Sequence, residues 1–176
     1  NNIEIIKLLL NNTNFIDIRN EDGNTSLHIA CMRKNIESIE LLLEHGADVN
    51  ALDKYGQRPL HISCVGPYPE MPKIIELLLK NGADVNVTNQ HGGTPLHIIV
   101  SSNDVESLNL LLKAGSDPNV KDKVFESTPL HFLANSAFVN PVPDEITQMI
   151  LSLLKHGAKV DLENKSGMTP INLIKS

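Results

Sequence analysis

The sequence predicts an all-α repeat protein, a solenoid of stacked helix-turn-helix units joined by β-hairpin-like fingers. Three observations support this prediction. Three leucines, two variable residues and Gly-Ala-Asp-Val-Asn occur at 41–50 and again at 77–86. After the same interval, each copy is followed by a Pro-Leu-His segment, and a period of this size is typical of repeat architectures. Aromatic residues make up only 3% of the chain, so aliphatic side chains must form most of the core.

Composition excludes several classes of protein. With 176 residues, 41% of them hydrophobic and 20% charged, the chain is globular rather than disordered. Its net charge of −6 argues against a nucleic-acid binder, which normally needs a basic face, and leaves basic protein surfaces open as partners. There is no apolar run long enough to span a membrane, and we expect no membrane contact. The start has neither a basic leader nor an initiator Met, so we expect a piece of a longer protein.

The two cysteines indicate a reducing compartment. Cys31 and Cys64 are 33 residues apart and therefore occupy equivalent places in neighbouring repeats. Helices packed about 8–10 Å apart hold such residues beyond the Cα distance of about 7 Å that a disulfide allows. We predict two reduced core thiols and a cytoplasmic or nuclear location.

The first helices follow from apolar spacing and capping residues. Residues 3–10 have the pattern of an outer helix. After a polar stretch and a glycine turn, Thr25 caps an inner helix predicted from Ser26 to about Arg33. An amphipathic outer helix follows, and Gly46 ends it because glycine tolerates the positive φ of a helix terminus.

Equivalent helix starts define the array. They lie 33, 36, 34 and 41 residues apart, at Thr25, Arg58, Thr94, Thr128 and Thr169. The longer intervals locate insertions near 66–72 and 137–144, both between an inner and an outer helix. We predict a single array over 1–176 of about five repeats, partial at both ends.

Two local features depart from the regular repeat. Asp144 is predicted to cap an outer helix from Glu145 to His156. The one-residue excess of the third interval falls in the finger 121–126, where Glu126 replaces the turn glycine. This finger should follow a different backbone course.

The segments Thr94-Pro95-Leu96-His97 and Thr128-Pro129-Leu130-His131, together with the Gly-Ala-Asp-Val-Asn stretches, resemble the ankyrin-repeat signature. The resemblance covers nearly the whole chain. It implies an ankyrin solenoid that binds a protein partner on a concave surface of fingers and inner helices. It also implies hydroxylation by an asparaginyl hydroxylase as a candidate modification of Asn50, Asn86 and Asn119. Departures from the signature are Ser26 for Pro, Arg58 for Thr, Asn172 for His, Thr13 for the cap glycine and Glu126 for the turn glycine.

Histidines recur once per repeat, at His28, His61, His97 and His131. Two of them, with Cys31 and Cys64, have spacings that could place metal donors on one helical face. The repeat accounts for them better, because each lies beside a capping residue and can hydrogen-bond to the neighbouring repeat, whereas structural zinc needs about four convergent ligands. We therefore predict no metal and no cofactor. No phosphate loop, His-Glu-x-x-His motif or nucleophile elbow is present, and we predict no enzyme activity.

Positions that the repeat does not dictate are candidate partner contacts. Tyr55 and Phe125 are the main candidates, because an exposed aromatic residue flanked by charge is the usual form of an interface anchor. Both should extend from neighbouring or next-neighbouring fingers. The alternative for Phe125 is that it folds back to compensate for the missing turn glycine. The full set is Arg19, Glu21, Asp22, Asn24, Met32, Arg33, Lys54, Tyr55, Gln57, Gln90, His91, Ser101, Ser102, Val124, Phe125, Asn135 and Ser136.

The Pro-rich insertions offer a second candidate surface, since loops longer than a fold requires often carry function. The alternative is that the insertions have no function and are merely tolerated by the fold, because a longer surface loop adds little closure entropy.

The predicted function is a monomeric, non-enzymatic interaction module acting as adaptor, scaffold or inhibitor. One alternative is a targeting or regulatory part of a larger enzyme, ubiquitin-ligase adaptor or channel. Another is a viral or parasite ankyrin protein that sequesters a host factor.

Overall fold

A computed structural model describes residues 16–136 and 143–175 of the chain. This part contains nine helices and no strand, as predicted for an all-α solenoid. The outer helix predicted at 3–10 and residues 137–142 of the second insertion lie outside the described residues. The helices are α1 (Ser26–Met32), α2 (Ile36–Glu44), α3 (Pro59–Ser63), α4 (Met71–Lys80), α5 (Pro95–Ile99), α6 (Val105–Lys113), α7 (Pro129–Ser136), α8 (Asp144–Lys155) and α9 (Pro170–Lys175).

The helices form two parallel rows. Each short inner helix packs against the longer outer helix that follows it, so that α1 to α8 make four antiparallel pairs. The inner row runs α1, α3, α5, α7 and α9, and the outer row runs α2, α4, α6 and α8, with contacts between successive members of each row. Because every repeat touches only its neighbours, the core is a continuous strip rather than a central cluster.

Leucine and isoleucine fill that strip, as the low aromatic content predicted. The inner helices α1, α3, α5 and α7 each bury a leucine one position after their start, at Leu27, Leu60, Leu96 and Leu130. The outer helices bury residues at a spacing of three or four, such as Ile75 and Leu78 on α4. Complete burial of one such side chain contributes roughly 1.5–3 kcal/mol. Stacking therefore supplies the stability that short helices lack on their own.

Glycines end the outer helices at the predicted place. Gly46 has a φ of +85° two residues after the last residue of α2, and Gly115 has +93° after α6. No neighbouring atom lies within 4 Å of the position that a Cβ would take at either glycine. These glycines are required by backbone conformation rather than by close packing.

Two predicted boundaries were wrong. Asp144 is the first residue of α8 instead of its cap, Pro143 holds the cap position, and the helix ends at Lys155 rather than His156. The first insertion ends earlier than residue 72, since α4 already begins at Met71. Proline fits the first turn of α4 because the missing N–H would have had no helical partner.

Candidate partner-binding site

Each finger is closed by one polar side chain at its start. In the second finger, Asp53 Oδ1 accepts hydrogen bonds from the backbone N–H groups of Tyr55 at 2.8 Å and Gln57 at 2.7 Å. Asn89 holds the third finger in the same way, through the N–H groups of His91 and Gly93, both at 3.0 Å. The finger sequence therefore carries its own internal brace, which local side-chain acceptors of this kind commonly provide.

Neighbouring fingers are joined through their backbones. The N–H of Gln90 donates to the carbonyl of Tyr55 at 3.0 Å, and the N–H of Lys123 donates to that of His91 at 2.9 Å. The same bond joins Lys165 to Phe125 at 2.9 Å. Tyr55, His91 and Phe125 thus occupy equivalent tip positions, and the two aromatics lie on next-neighbouring fingers, as predicted.

The fourth finger differs from the others, as its extra residue predicted. Glu126 takes a φ of +51°, a left-handed conformation that is uncommon for a residue with a Cβ. Asp122 compensates by accepting three backbone hydrogen bonds, from Val124 at 2.7 Å, Phe125 at 2.8 Å and Ser127 at 3.0 Å. Phe125 is 59% exposed, so the alternative that it folds back onto the finger is wrong.

The second finger carries charge around its aromatic residue. Lys54 pairs with Asp22 of the preceding finger, and its ammonium lies 5.1 Å from the ring centroid of Tyr55. The hydrogen bond to Asp22 raises the pKa of Lys54 above its usual value. Arg19 donates to the carbonyl of Leu52. Tyr55 is 46% exposed beside these charged side chains, so its ring is available to a partner.

The repeat histidines connect inner helices, as predicted. His97 Nδ1 accepts from the backbone N–H of Thr94 at 3.2 Å and lies 2.7 Å from the Thr94 hydroxyl. Because Nδ1 is an acceptor, Nε2 carries the proton and donates to the Ser127 carbonyl in the next repeat, at 3.1 Å. The equivalent bonds to the next repeat, 3.1–3.3 Å long, join His28 to Gln57, His61 to Gly93 and His131 to Met168.

Burial keeps these four histidines neutral. Desolvation is the largest influence on each, and it lowers the pKa of all four below the usual value. Hydrogen bonds to backbone carbonyls raise the pKa of each histidine, but by less than burial lowers it. A neutral imidazole with one accepting and one donating nitrogen is the form that the hydrogen bonds require.

Comparison with known proteins agrees with this geometry. A family model described as ankyrin repeats matches in three copies, at residues 1–89 and 49–122. The chain belongs to the ankyrin-repeat family. A protein of Rickettsia felis described as an ankyrin repeat protein is 38% identical over 61 residues, which is 35% of this chain and 25% of that protein. The match thus spans about a quarter of the relative's length. Ankyrin repeats are generally protein–protein interaction modules, and the family is typically non-enzymatic.

The asparagine of each ankyrin Asp-Val-Asn stretch bridges to the next repeat. The Asn86 side chain donates to the Gly115 carbonyl at 3.0 Å and accepts from the Asp117 N–H at 2.8 Å. Asn50 makes the corresponding bonds to Gly82 and Asp84. In the third copy Asn119 bonds across the insertion to the loop after α8. These amides have a structural role whether or not they are modified.

The first insertion packs onto the ankyrin array. Tyr68 is buried, its hydroxyl donates to the Ser63 carbonyl at 2.6 Å, and the Lys34 ammonium lies 4.0 Å from its ring centroid. Burial raises the pKa of the Tyr68 phenol. An open cleft of about 480 Å³ lies beside this insertion, lined by Pro67, Tyr68, Pro69, Ser102, Asn103, Asp104, Val105 and Glu145.

Most of the predicted contact residues are exposed or partly exposed, but two are not. Asn24 is only 8% exposed and Ser102 only 4%. Ser102 Oγ donates to the Cys64 carbonyl at 2.9 Å, which joins two neighbouring inner helices. Both residues were wrongly placed on the binding surface, because both side chains are buried.

Sequence reasoning missed several exposed residues. Ile18, Leu52 and Val65 are exposed aliphatic side chains near the fingers or the inner-helix ends. An aliphatic residue in a repeat sequence is normally assigned to the core, so the sequence held no signal for them. Arg58 was noted only as an imperfect cap, although it lies half-buried between the second finger and α3.

The cysteines are free and buried, as predicted. Burial raises the pKa of the Cys31 thiol to about 12 and raises that of Cys64 as well. Among residues 16–136 and 143–175, no group of three or more His, Cys, Asp or Glu residues could hold a metal ion. None of the helices in these ranges has both the length and the hydrophobicity that a membrane crossing requires.

Proposed function

We propose that this ankyrin array is a monomeric, non-enzymatic module whose concave face binds a segment of another protein, as adaptor, scaffold or inhibitor. Fingers and inner-helix ends form this face. One observation carries the proposal: exposed aromatic side chains at equivalent tip positions, Tyr55 and Phe125, held by a hydrogen-bonded row of fingers. Val124 adds apolar surface beside Phe125.

The physical basis is preorganisation. Ordering a loop when a complex forms lowers affinity, and here the finger braces and the backbone bonds between fingers exist before a partner arrives. An aromatic side chain can bury about 150–250 Å² in an interface, and truncation of such an anchor commonly costs at least about 2 kcal/mol of binding free energy. That loss corresponds to about a 30-fold change in Kd.

The test is affinity capture from the native cell with Tyr55→Ala plus Phe125→Ala as bait. We expect recovery of the partner to fall by about 30-fold or more, with little change in melting temperature, since neither side chain is part of the core. Leu151→Ala is the matched control: Leu151 is 60% exposed, much like Phe125, but lies on outer helix α8. This control should capture as much partner as the wild type.

Two outcomes would reject the proposal. One is a large loss of stability in the finger variant with binding intact, which would make the aromatics structural. The other is an equal loss of binding in the Leu151→Ala control, which would move the interface to the outer row.

A second candidate role is a targeting or regulatory segment of a larger enzyme, ubiquitin-ligase adaptor or channel. The relative in Rickettsia felis favours it, because the matched repeats make up only 25% of that protein. In that case the isolated array, added in excess, should displace the larger protein from its partner. The free, buried thiols support a cytoplasmic or nuclear location for either role.

Asparagine hydroxylation is part of the same proposal, with Asn50, Asn86 and Asn119 as acceptors. It is supported by their place in the Asp-Val-Asn and Asp-Pro-Asn stretches. Peptide mass spectrometry of protein from the native cell should find one added oxygen at these residues. Unmodified peptides at all three positions would reject it.

A further inference from the structure

We infer that the concave face selects an acidic, extended peptide segment with interspersed apolar residues. The inference rests on the proposed function and deepens it. It starts from an uneven distribution of charge. The outer helices and the loops beside them carry most of the acidic residues: Asp17, Glu37, Glu40, Glu44, Asp48, Glu70, Glu76, Asp84, Asp104, Glu106, Asp117, Asp144, Glu145 and Asp161. Basic residues there are fewer: Lys34, Lys73, Lys80, Lys113, Lys155 and Lys159.

On the concave side, basic residues outnumber the exposed acidic ones. None of the inner helices contains Asp or Glu. Two of the finger carboxylates, Asp53 and Asp122, are buried and accept the backbone hydrogen bonds that brace their fingers. The exposed acidic residues are Glu21, Asp22, Glu126 and Glu163. Basic residues that are exposed or half-buried are more numerous: Arg19, Arg33, Lys54, Arg58, Lys121, Lys123 and Lys165.

The cations cluster around the aromatic anchors. Lys123 lies two residues before Phe125, and the backbone N–H of Lys165 donates to the Phe125 carbonyl, so two exposed lysines lie on the finger of Phe125 and on the adjoining finger. In the described ranges the ion pairs are Lys54–Asp22 and Lys73–Glu40, and neither includes these lysines or Arg58. Arg58 Nε is buried without a hydrogen-bond partner.

A ligand that combines carboxylates with apolar side chains fits this surface. Its carboxylates would meet unpaired cations and its apolar residues would cover Tyr55 and Phe125. Opposite charges on two surfaces also steer the encounter and disfavour partners of the wrong sign. A nucleic acid fits less well, because four exposed carboxylates stand among the seven basic residues and would repel a continuous phosphate backbone.

The test uses two synthetic peptides of about twelve residues that share one arrangement of Leu, Phe and Ser and differ only in having Glu or Lys at four positions. Binding is followed by amide chemical shifts of the intact protein at low salt. The Glu peptide should shift finger amides and bind at least about tenfold more tightly than the Lys peptide. The double substitution Arg58→Thr plus Lys123→Ser should weaken binding of the Glu peptide by about 1.5- to 5-fold for each charge removed. Lys73→Ser plus Lys113→Ser removes two charges from the outer row and should change binding less than twofold.

The outcomes separate this inference from the proposed function. Equal or tighter finger binding by the Lys peptide overturns the acidic preference and leaves the concave site standing. Shifts confined to the outer helices overturn both. Absence of binding up to about millimolar peptide overturns the acidic preference. The affinity-capture experiment described above then remains as the test of the concave binding site. A thymine oligonucleotide of about twelve nucleotides that binds the fingers more tightly than the Glu peptide overturns the inference in favour of nucleic acid.

Discussion

Replacing Arg58 by threonine should make the protein more stable. Threonine precedes each of the other inner helices, and at α5 the Thr94 hydroxyl lies 2.7 Å from His97 Nδ1. At α3 only the backbone N–H of Arg58 reaches His61 Nδ1, at 3.2 Å. The Thr94 hydroxyl also accepts a hydrogen bond from the backbone N–H of His97 at 3.4 Å, whereas the guanidinium of Arg58 has no acceptor, and its Nε is buried without a partner.

The expected gain follows from these contacts. A threonine cap contributes about 1 kcal/mol, and removal of a buried unpaired N–H relieves about 1–3 kcal/mol. Loss of the arginine stem opposes this by about 0.8 kcal/mol per buried CH₂ group. The net stabilisation should be about 1–2 kcal/mol, or a rise in melting temperature of about 2–8 °C for a chain of this length.

Urea unfolding at an unchanged m-value measures this gain. The same substitution in a His61→Ala background should gain about 1 kcal/mol less, because the new hydroxyl loses its imidazole partner. A lower or unchanged urea midpoint for Arg58→Thr would refute the reasoning. So would a full gain in the His61→Ala background, since the bond between the hydroxyl and the imidazole would then contribute nothing.

Three further predictions concern the histidines and the glycines. Stability should fall as the pH drops below about 6.5, because the unfolded chain then binds protons at the four repeat histidines that the folded chain, with lowered pKa values, does not; urea midpoints at several pH values measure this. Added zinc should leave the melting temperature unchanged, because both ring nitrogens of each repeat histidine are already bonded. Gly115→Ala should cost about 1–2 kcal/mol for its left-handed backbone alone. Gly92→Ala should cost at least about 1 kcal/mol more, because its Cβ would lie 2.6 Å from the Lys123 backbone nitrogen.

Each of these expectations can fail in a recognisable way. A urea midpoint that stays constant or rises between neutral and mildly acidic pH would contradict the neutral state of the buried histidines. A shift of several degrees with zinc would show a metal site. Equal costs for the two glycine substitutions would mean that the fingers are not in close backbone contact.

Much of the fold could be predicted from the sequence because the repeat signals are local. Helix starts at Pro59 and Pro95, the αL glycine after α2 and the apolar spacing each act within a few residues. Boundaries at the insertions were less accurate, since α4 and α8 begin after Glu70 and Pro143, neither of which makes a side-chain capping hydrogen bond.

The candidate site was only partly predictable. Tyr55 and Phe125 stood out because the repeat does not require an aromatic residue there, and both are exposed. Ser102 was misplaced because its partner is distant in the chain: it bonds to Cys64, 38 residues earlier. Asn24 was misplaced as well, since it is only 8% exposed. Exposure of Leu52 had no sequence signal either.

The amino-acid sequence by itself determined the repeat, the order of inner and outer helices and the roles of the repeat histidines, because these depend on short-range spacing. Only the tertiary structure decided which charges lie close together. The net charge of −6 had left basic protein surfaces open as partners. The acidic residues are concentrated on the outer row, however, and backbone hydrogen bonds between successive fingers bring lysines from separate repeats onto one row of fingers. A sum over the chain cannot reveal this, because electrostatic attraction depends on where the charges lie as well as on how many there are.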